Sequence, residues 1–170
     1  MKSIREVGSE NLQWARASWW KRAYELHSGD EILAKFYPSK ETRSMIGEAA
    51  DGRWSFKRRS FWSRDIIVTD LSSQAEIAII RRGRNKSLTF SDGRLFTFPK
   101  TSFWHNDWIW LNNEGTTLMH FKHGKHLVVE PSAPPLPELS LLVIAGWYLL
   151  VLTKEEEDAS TAAVVAAISG

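Results

Sequence analysis

The sequence contains no cysteine among its 170 residues and only three methionines. The absence of cysteine excludes disulfide bonds, thiolate catalysis and zinc sites with cysteine ligands. The P-loop, the dinucleotide-binding glycine pattern and the Gly-x-Ser-x-Gly nucleophile motif are missing as well. Most acidic residues fall in predicted turns or near the C-terminal end, and no two are placed for paired acid–base work. We therefore expect a protein that is not an enzyme, needs no cofactor and holds no metal.

Long hydrophobic runs are also scarce, and the longest is Leu139–Leu152, which contains no charged residue. A bilayer-spanning helix needs about 20 apolar residues, so a run of 14 favours a helix buried in a protein core. Pro137 and Glu138 precede the run and are typical of a helix start. Residues 1–17 lack the apolar segment of a secretory signal. We therefore expect a cytoplasmic protein without a transmembrane span.

The first 130 residues read as short strands with turn signals every 8 to 12 residues, a pattern typical of a sandwich or barrel. Alternation predicts one shared face within each of three groups: Trp54, Phe56, Ser60 and Trp62; Phe96 and Phe98; Trp108 and Trp110. The twelve predicted strands are Leu12–Ala17, Arg22–His27, Ile32–Tyr37, Arg43–Ala49, Arg53–Phe61, Asp65–Asp70, Glu76–Arg82, Ser87–Phe90, Arg94–Pro99, Asp107–Leu111, Thr117–Lys122 and His126–Glu130.

Simple geometry connects the strands with the apolar helix. Twelve strands about 4.8 Å apart and tilted by about 40° close into a backbone cylinder about 24 Å across. Inward side chains leave a hole about 12 Å wide, which is the width of a helix. We therefore predict a closed antiparallel twelve-stranded barrel around the helix 137–152, as one domain over residues 1–152. Gly146 is expected to lie against a bulky barrel residue, because glycine in mid-helix costs about 1 kcal/mol.

Three similar tripeptides recur at intervals of 42 residues, namely Ser18-Trp19-Trp20, Ser60-Phe61-Trp62 and Ser102-Phe103-Trp104. The last two are preceded by Asp-Gly-Arg sequences that begin at Asp51 and Asp92. Three units of four strands account for this spacing. They fit the barrel and also a β-trefoil-like fold, which is the alternative although it offers no obvious place for a helix that is apolar on every side. A chance recurrence among many aromatic residues is the third interpretation.

Four segments carry a resemblance to known proteins: Asp51–Trp62, Ser91–Phe98, Asp107–Leu118 and Pro137–Leu152. Their turns, aromatic residues and apolar helix resemble small bacterial members of the tubby C-terminal-like superfamily, which includes the scramblase and LURP-one-related proteins. The resemblance implies a twelve-stranded barrel around a hydrophobic C-terminal helix. Tubby proteins bind phosphoinositide head groups through basic residues, but that site has no residue-by-residue match here. The chain also lacks the cysteines and the Asp-x-Asp-x-Asp-Gly loop of calcium-dependent scramblases.

Charge is distributed unevenly although the net charge is only +2. Arg53 to Arg94 holds ten Lys or Arg and four acids, a local excess of +6, whereas residues 153–170 carry −3. Such a basic segment is either a solvated surface or a field for anionic groups. Arg81 and Arg82 are expected at a strand end where both reach solvent. The candidates for binding an anionic lipid head group or another phosphate-containing ligand are Lys57, Arg58, Arg59, Arg64, Arg81, Arg82, Arg84 and Lys86.

The spacing of His120, His123 and His126 suggests a metal site. However, a two-residue hairpin turn at His123-Gly124 would place His120 and His126 on opposite faces of the sheet. We therefore expect no shared metal, with one histidine lining the barrel and the turn histidines exposed. Nucleic acid is not the favoured partner, because Trp104 and the tryptophans of Asp107–Leu111 are expected to face the core rather than stack on bases.

The whole pattern favours a non-enzymatic binding or scaffold module of the tubby-like barrel type. One alternative is a protein peripheral to the membrane that binds anionic lipid or a phosphate-containing ligand through the basic face. A second alternative is an enzyme of unidentified type. Residues 153–170 are expected to form an acidic and Ala-rich tail, either as a second helix or as a segment free of the barrel.

Overall fold

A computed structural model describes residues 1–7, 11–18 and 22–170 of the chain. The described residues form antiparallel strands followed by one long helix. The strands are β1 (Leu12–Ser18), β2 (Ala23–Ser28), β3 (Glu31–Pro38), β4 (Met45–Ala49), β5 (Gly52–Arg58), β6 (Asp65–Asp70), β7 (Ala75–Arg81), β8 (Ser87–Phe90), β9 (Leu95–Thr97), β10 (Lys100–Ser102), β11 (Asp107–Leu111), β12 (Thr117–Lys122) and β13 (His126–Val129). The helix α1 spans Leu139–Ser169.

The strands form one antiparallel sheet that closes into a barrel. From β1 to β9 and from β10 to β13 each strand pairs with the next, β13 pairs with β1, and β11 pairs with both β9 and β10. Only Phe98 and Pro99 separate β9 from β10, and proline interrupts the ladder because it has no N–H to donate. β9 and β10 therefore make one wall segment. The predicted closed barrel of twelve wall segments is confirmed.

The predicted alternation is confirmed for six inward aromatic side chains that are at most 8% exposed: Trp54, Phe56, Phe96, Phe98, Trp108 and Trp110. It is wrong for Ser60 and Trp62. β5 ends at Arg58 rather than Phe61, so Ser60 and Trp62 lie in a loop where strand alternation no longer applies. Trp104 lies in the loop after β10 and is 94% exposed instead of facing the core.

The first half of α1 fills the barrel. Every residue from Leu139 to Leu150 is buried, and so is Leu152. A helix buried on all sides needs apolar residues around its whole circumference, which the run Leu139–Leu152 supplies. The β-trefoil alternative is therefore wrong, because a helix occupies the interior of the barrel.

Gly146 allows the helix to approach two aromatic side chains of the wall. A Cβ atom added at Gly146 would lie 2.6 Å from Phe121 Cζ and 2.7 Å from Trp110 Nε1. The Trp110 indole N–H donates a buried hydrogen bond to the Leu142 carbonyl oxygen at 2.9 Å, so the indole lies directly on the helix backbone. The prediction that a bulky barrel residue lies against Gly146 is confirmed.

The space between helix and wall is filled unevenly. The helix lies closest to β3, β4 and β5, where a Cβ atom at Gly47 would be only 2.6 Å from Ile144 Cγ2. Elsewhere large rings fill the gap, as where Trp14 stacks on Trp147 with ring centroids 5.0 Å apart. Such an interior is close-packed, so any change of side-chain volume must be absorbed by neighbours.

The loops alternate between the two ends of the barrel because successive strands are antiparallel. The entry end, where α1 enters, consists of residues 29–30, 50–51, 71–74, 91–94, 112–116 and 130–138. The exit end, where α1 leaves, consists of residues 22, 39–44, 59–64, 82–86, 103–106 and 123–125 among those described.

The entry end is closed by the N-terminal segment and by the proline-rich connector to α1. Ile4 is buried, and the Arg5 guanidinium donates to the carbonyl oxygens of Leu136 and Pro137 at 2.9 and 2.8 Å. Arg94 also pairs with Glu138 just before the helix. These contacts leave the exit end as the more accessible opening of the barrel.

Beyond Leu152 the helix continues without a break to Ser169, where we expected a separate helix or a free segment. The residues from Glu156 onward are exposed. At 1.5 Å per residue, the extension after Leu152 is about 25 Å long. It emerges at the exit end. In the described part of the chain, no helix has the length and apolar character needed to cross a membrane.

Candidate anionic-ligand site

The two ends of the barrel carry opposite charge. The exit end holds nine Lys or Arg and one Glu, a formal charge of +8: Arg22, Lys40, Arg43, Arg59, Arg64, Arg82, Arg84, Lys86 and Lys125 against Glu41. The entry-end loops hold six acids and one Arg, a formal charge of −5: Asp30, Asp51, Asp92, Glu114, Glu130 and Glu138 against Arg94. The N-terminal segment that closes this end adds Lys2, Arg5 and Glu6, which makes the total −4. This separation directs anionic partners to the exit end.

The helix extension neutralises part of the positive charge. Residues 153–170 contribute one Lys and four acids, so the exit end keeps a formal charge of +5 when they are included. Glu155 pairs with Arg22, and Glu156 Oε1 lies 2.9 Å from Arg82 Nη1. These two pairs join α1 to loops on different sides of the barrel mouth.

A cavity of about 570 Å³ opens beside the helix at the exit end. We call it the exit cleft. Its lining residues belong to β2, β3, β4, β5, α1 and three exit-end loops. Five of them are basic, namely Arg22, Arg43, Lys57, Arg58 and Arg59, and among the described lining residues none is acidic. The apolar and aromatic part of the lining includes Tyr24, Phe36, Met45, Tyr148, Val151 and Leu152.

Arg58 and Tyr148 connect the basic rim with the apolar floor of the exit cleft. Arg58 follows Trp54 and Phe56 on the inner side of β5, so strand alternation directs its side chain toward the mouth. Burial raises the pKa of the Tyr148 phenol, and the positive charges of Arg58, Arg82 and Arg22 oppose that rise. Cations from three different loops and strands therefore act on one buried group beneath the cleft.

The structure brings all eight predicted binding residues to the exit end, but only three of them line the exit cleft. Lys57, Arg58 and Arg59 line it. The other five lie at the ends of the neighbouring strands β6, β7 and β8 or in their loops: Arg64, Arg81, Arg82, Arg84 and Lys86. The predicted residues thus form one basic region that extends away from the cleft.

The expectation that Arg81 and Arg82 both reach solvent is wrong for Arg82. Its side chain is only 9% exposed, because Nη1 pairs with Glu156 and Nε donates to the Arg64 carbonyl oxygen at 3.1 Å. Arg82 therefore has a structural role in holding the helix extension, whereas Arg81 is exposed.

Lys86 is also partly engaged. Its ammonium group lies 4.6 Å from the centroid of the Trp108 ring and donates to the Gly83 carbonyl oxygen at 3.1 Å. Burial lowers the pKa of Lys86. Lys86 is therefore less available to an external ligand than the exposed Arg58 of the exit cleft, although Arg22 and Arg59 of the cleft are themselves paired with Glu155 and Asp65.

Sequence reasoning missed Arg22 and Arg43, which complete the exit cleft. They lie outside the basic stretch Arg53–Arg94, in two short segments with few other cations. The consecutive antiparallel pairing of β1 to β5 and the curvature of the sheet bring the β1–β2 and β3–β4 loops to the same end as the last residues of β5. Tyr148 was read correctly as part of the buried helix, but its place beneath the cations required the three-dimensional structure.

A second cavity of about 770 Å³ lies on the outer side of the barrel near the β3–β4 loop. Its lining carries charge of both signs, with Lys40 and Arg53 against Glu41. Arg53 is already engaged, since its Nη2 lies 3.3 Å from the Tyr37 hydroxyl. This mixed groove is a weaker candidate for a charged ligand than the exit cleft.

The hairpin turn in the histidine region is one residue longer than predicted. The β12–β13 turn has three residues instead of two, so Lys122 pairs with His126 and His120 pairs with Val128. His120 and His126 consequently both face outward rather than to opposite sides, and neither lines the interior. His120 Nε2 lies 2.9 Å from Glu130 Oε1. Within residues 1–7, 11–18 and 22–170, no group of three metal-ligating side chains is suited to a metal.

Comparison of the chain with protein-family models, curated proteins and solved structures finds no match.

Proposed function

We propose that this protein is a non-enzymatic binding module that holds an anionic ligand in the exit cleft. The observation that carries the proposal is the combination of five basic side chains with an apolar floor in one cavity. This arrangement is complementary to an amphiphile with a phosphate head group and an acyl part, as in an anionic lipid.

The chemistry of the lining supports a binding role. A guanidinium group presents a planar fork of donors that matches phosphate oxygens, and Arg58 and Arg59 lie side by side at the end of β5. The floor around Tyr148 offers apolar surface, as ligand pockets usually do. The described lining residues supply cations, hydroxyls and apolar groups, which favour holding an anion over acid–base chemistry.

We further propose that the chain is a tubby C-terminal-like protein that works in the cytoplasm, peripheral to the membrane. The support for the family is the closed twelve-segment barrel around a C-terminal helix, together with the resemblance of its turns and aromatic segments. The support for the location is the basic exit end.

The test uses a water-soluble short-chain lipid, so that binding does not require a membrane surface. Dihexanoylphosphatidylglycerol, kept below its micelle-forming concentration, is titrated into the full-length protein by isothermal calorimetry. Dihexanoylphosphatidylcholine serves as the zwitterionic comparison. We expect binding of the anionic lipid only, with an affinity that falls as salt is added.

Arg58→Gln should weaken this binding by about 10- to 100-fold, because one charge-assisted contact contributes about 1.5–3 kcal/mol. Arg53→Gln is the matched control, since Arg53 lies on the same strand at its entry-end terminus. Equal binding of both lipids, or equal loss in the two variants, would remove the exit cleft as the ligand site.

A further inference from the structure

Four large aromatic side chains project into solvent from the exit end. Phe61 and Trp62 are 84% and 89% exposed, and Phe103 and Trp104 are 88% and 94% exposed. Aromatic residues are otherwise the main filling of this barrel. Exposed clusters of large apolar side chains are unfavourable in water and usually mark an interaction surface.

Both aromatic pairs are displayed by the same local construction. The Ser60 hydroxyl oxygen accepts the Ser63 N–H at 3.1 Å, and the Ser102 hydroxyl oxygen accepts the His105 N–H at 3.2 Å. In each turn the Phe-Trp pair occupies the two positions between donor and acceptor. The bond closes each turn, and both rings of each pair are exposed. Because two separate loops expose a Phe-Trp pair on the same kind of turn, the exposure of these rings indicates a function.

The two loops belong to one end of the barrel and are spread around its mouth. The β5–β6 loop and the β10–β11 loop are four wall segments apart, which is a third of the ring. The 42-residue interval between these two tripeptides therefore corresponds to a third of the ring. Trp19 and Trp20 of the first tripeptide lie outside the described residues.

The tip of α1 projects from the same end, and residues 159–170 carry no charged side chain. Val164, Val165 and Ile168 are exposed there. The hydroxyls of Thr161 and Ser169 donate back to helix carbonyl oxygens four residues earlier. This internal bonding is how hydroxyl groups are accommodated in an apolar medium.

We propose that the exit end docks on the surface of an anionic bilayer, with the two Phe-Trp pairs at the lipid–water interface and the tip of α1 in one leaflet. The proposal rests on the anionic-ligand binding proposed above and adds that the protein binds this ligand at a membrane surface. Residues 159–170 are exposed and carry no charged side chain, which suits contact with the acyl chains of one leaflet.

Charge and aromatic content both favour a bilayer as the partner. The exit end is positive and the cytoplasmic membrane surface is negative, so long-range attraction brings this end to the lipid. Trp is enriched in the interfacial layer and Phe adds apolar contact with the lipid, so Phe61-Trp62 and Phe103-Trp104 would anchor the barrel mouth there. Phe61 also lines the exit cleft, so the docking surface and the ligand cavity are continuous.

The experiment measures sedimentation of the full-length protein with vesicles of phosphatidylcholine alone and of phosphatidylcholine with equimolar phosphatidylglycerol. Brominated acyl chains in the same vesicles report any tryptophan that enters the bilayer by quenching its fluorescence. We expect binding to the anionic vesicles only, with quenching. Phe61→Ser with Trp62→Ser, and separately Phe103→Ser with Trp104→Ser, should each weaken binding by about tenfold.

Trp62→Phe with Trp104→Phe is the matched control, because phenylalanine keeps the apolar anchor and removes two of the nine tryptophan fluorophores. It should bind the vesicles like the wild type but with reduced quenching. Asn113→Ala, at the entry end, should change neither binding nor quenching. Unaltered folding of each variant is checked by its thermal unfolding midpoint.

Vesicle binding that survives both serine variants, or that occurs without quenching, would overturn the docking proposal. Equal binding to uncharged vesicles would also overturn it. If the short-chain anionic lipid binds the exit cleft but vesicles do not bind, docking is refuted while the proposed function stands. If neither binds, both proposals fail.

Discussion

Gly146→Ala is the substitution whose outcome depends most directly on how the helix and the wall approach each other. In an isolated helix, alanine would be better than glycine by about 1 kcal/mol. In this barrel the new methyl group would lie 2.6 Å from Phe121 and 2.7 Å from Trp110, both fully buried. Overpacking of this kind costs about 1–3 kcal/mol.

The same methyl group would displace the Trp110 indole and weaken its hydrogen bond to the Leu142 carbonyl oxygen. A buried donor left without its partner costs about 1–3 kcal/mol. The net expected loss is about 1–5 kcal/mol, a large part of the roughly 5–15 kcal/mol that stabilises a domain.

The assay is equilibrium unfolding in urea, followed by the fluorescence of the nine tryptophans. Phe121→Leu provides the test of cause, since removing the ring makes room for the methyl group. The double variant should therefore be more stable than the sum of the two single losses predicts. If Gly146→Ala alone leaves the protein equally or more stable, the close approach at this point is refuted.

Three further predictions concern the helix and its exit end. Trp147→Ala removes a ring stacked on Trp14 and should lower the free energy of unfolding in urea by about 3–5 kcal/mol; a loss below about 1 kcal/mol would show that the helix is loosely packed. Truncation after Glu138 should give an insoluble or molten product by gel filtration and circular dichroism, and a soluble, cooperatively folding monomer would make the helix an appendage. Burial raises the pKa of the Tyr148 phenol above its value of about 10 in the unfolded chain. The neutral Tyr148 side chain therefore contributes its full stabilisation below about pH 10, and this stabilisation is lost as the pH rises from there through the folded-state pKa. Tyr148→Phe should therefore lose less stability than the wild type in melts above about pH 10, and parallel losses would contradict the burial of the phenol.

The barrel and its central helix were predictable because each leaves a strong signal in the sequence. The run Leu139–Leu152 is apolar on every side and too short for a bilayer, so it requires a surrounding wall. Several strands, such as β6 and β11, have the predicted boundaries because polar turn residues flank them. Gly146 could be read in the same way, since glycine in mid-helix needs a packing reason.

The exit end was less predictable because its features depend on where strands stop. Trp62 and Trp104 continue an aromatic pattern that looks like core, yet β5 and β10 end before them. Local sequence does not distinguish an aromatic residue in the last inward position from one displayed in a loop. The exit cleft, in turn, needs Arg22 and Arg43 from loops that the pairing and curvature of β1 to β5 bring to the end of β5.

The continuous helix was missed for a related reason. The acidic cluster Glu155–Asp158 looks like a boundary after an apolar run, whereas in the structure two of its acids pair with Arg22 and Arg82. Those ion pairs join residues that are far apart in the sequence, so the spacing of charges along the chain could not predict them. The same pairing removes Arg82 from solvent and thereby alters the predicted binding face.

The measurement that tests the ligand site most directly is an NMR titration of the isotope-labelled full-length protein with dihexanoylphosphatidylglycerol. If the exit cleft holds the anionic ligand, backbone amide shifts should change for residues 57–59 and for the turn of α1 from Tyr148 to Leu152, with the midpoint moving to higher ligand concentration as salt is added. The entry-end loops 29–30 and 112–116 should not respond. Shifts confined to the entry end, or no saturable shifts at the exit cleft, would contradict the assignment.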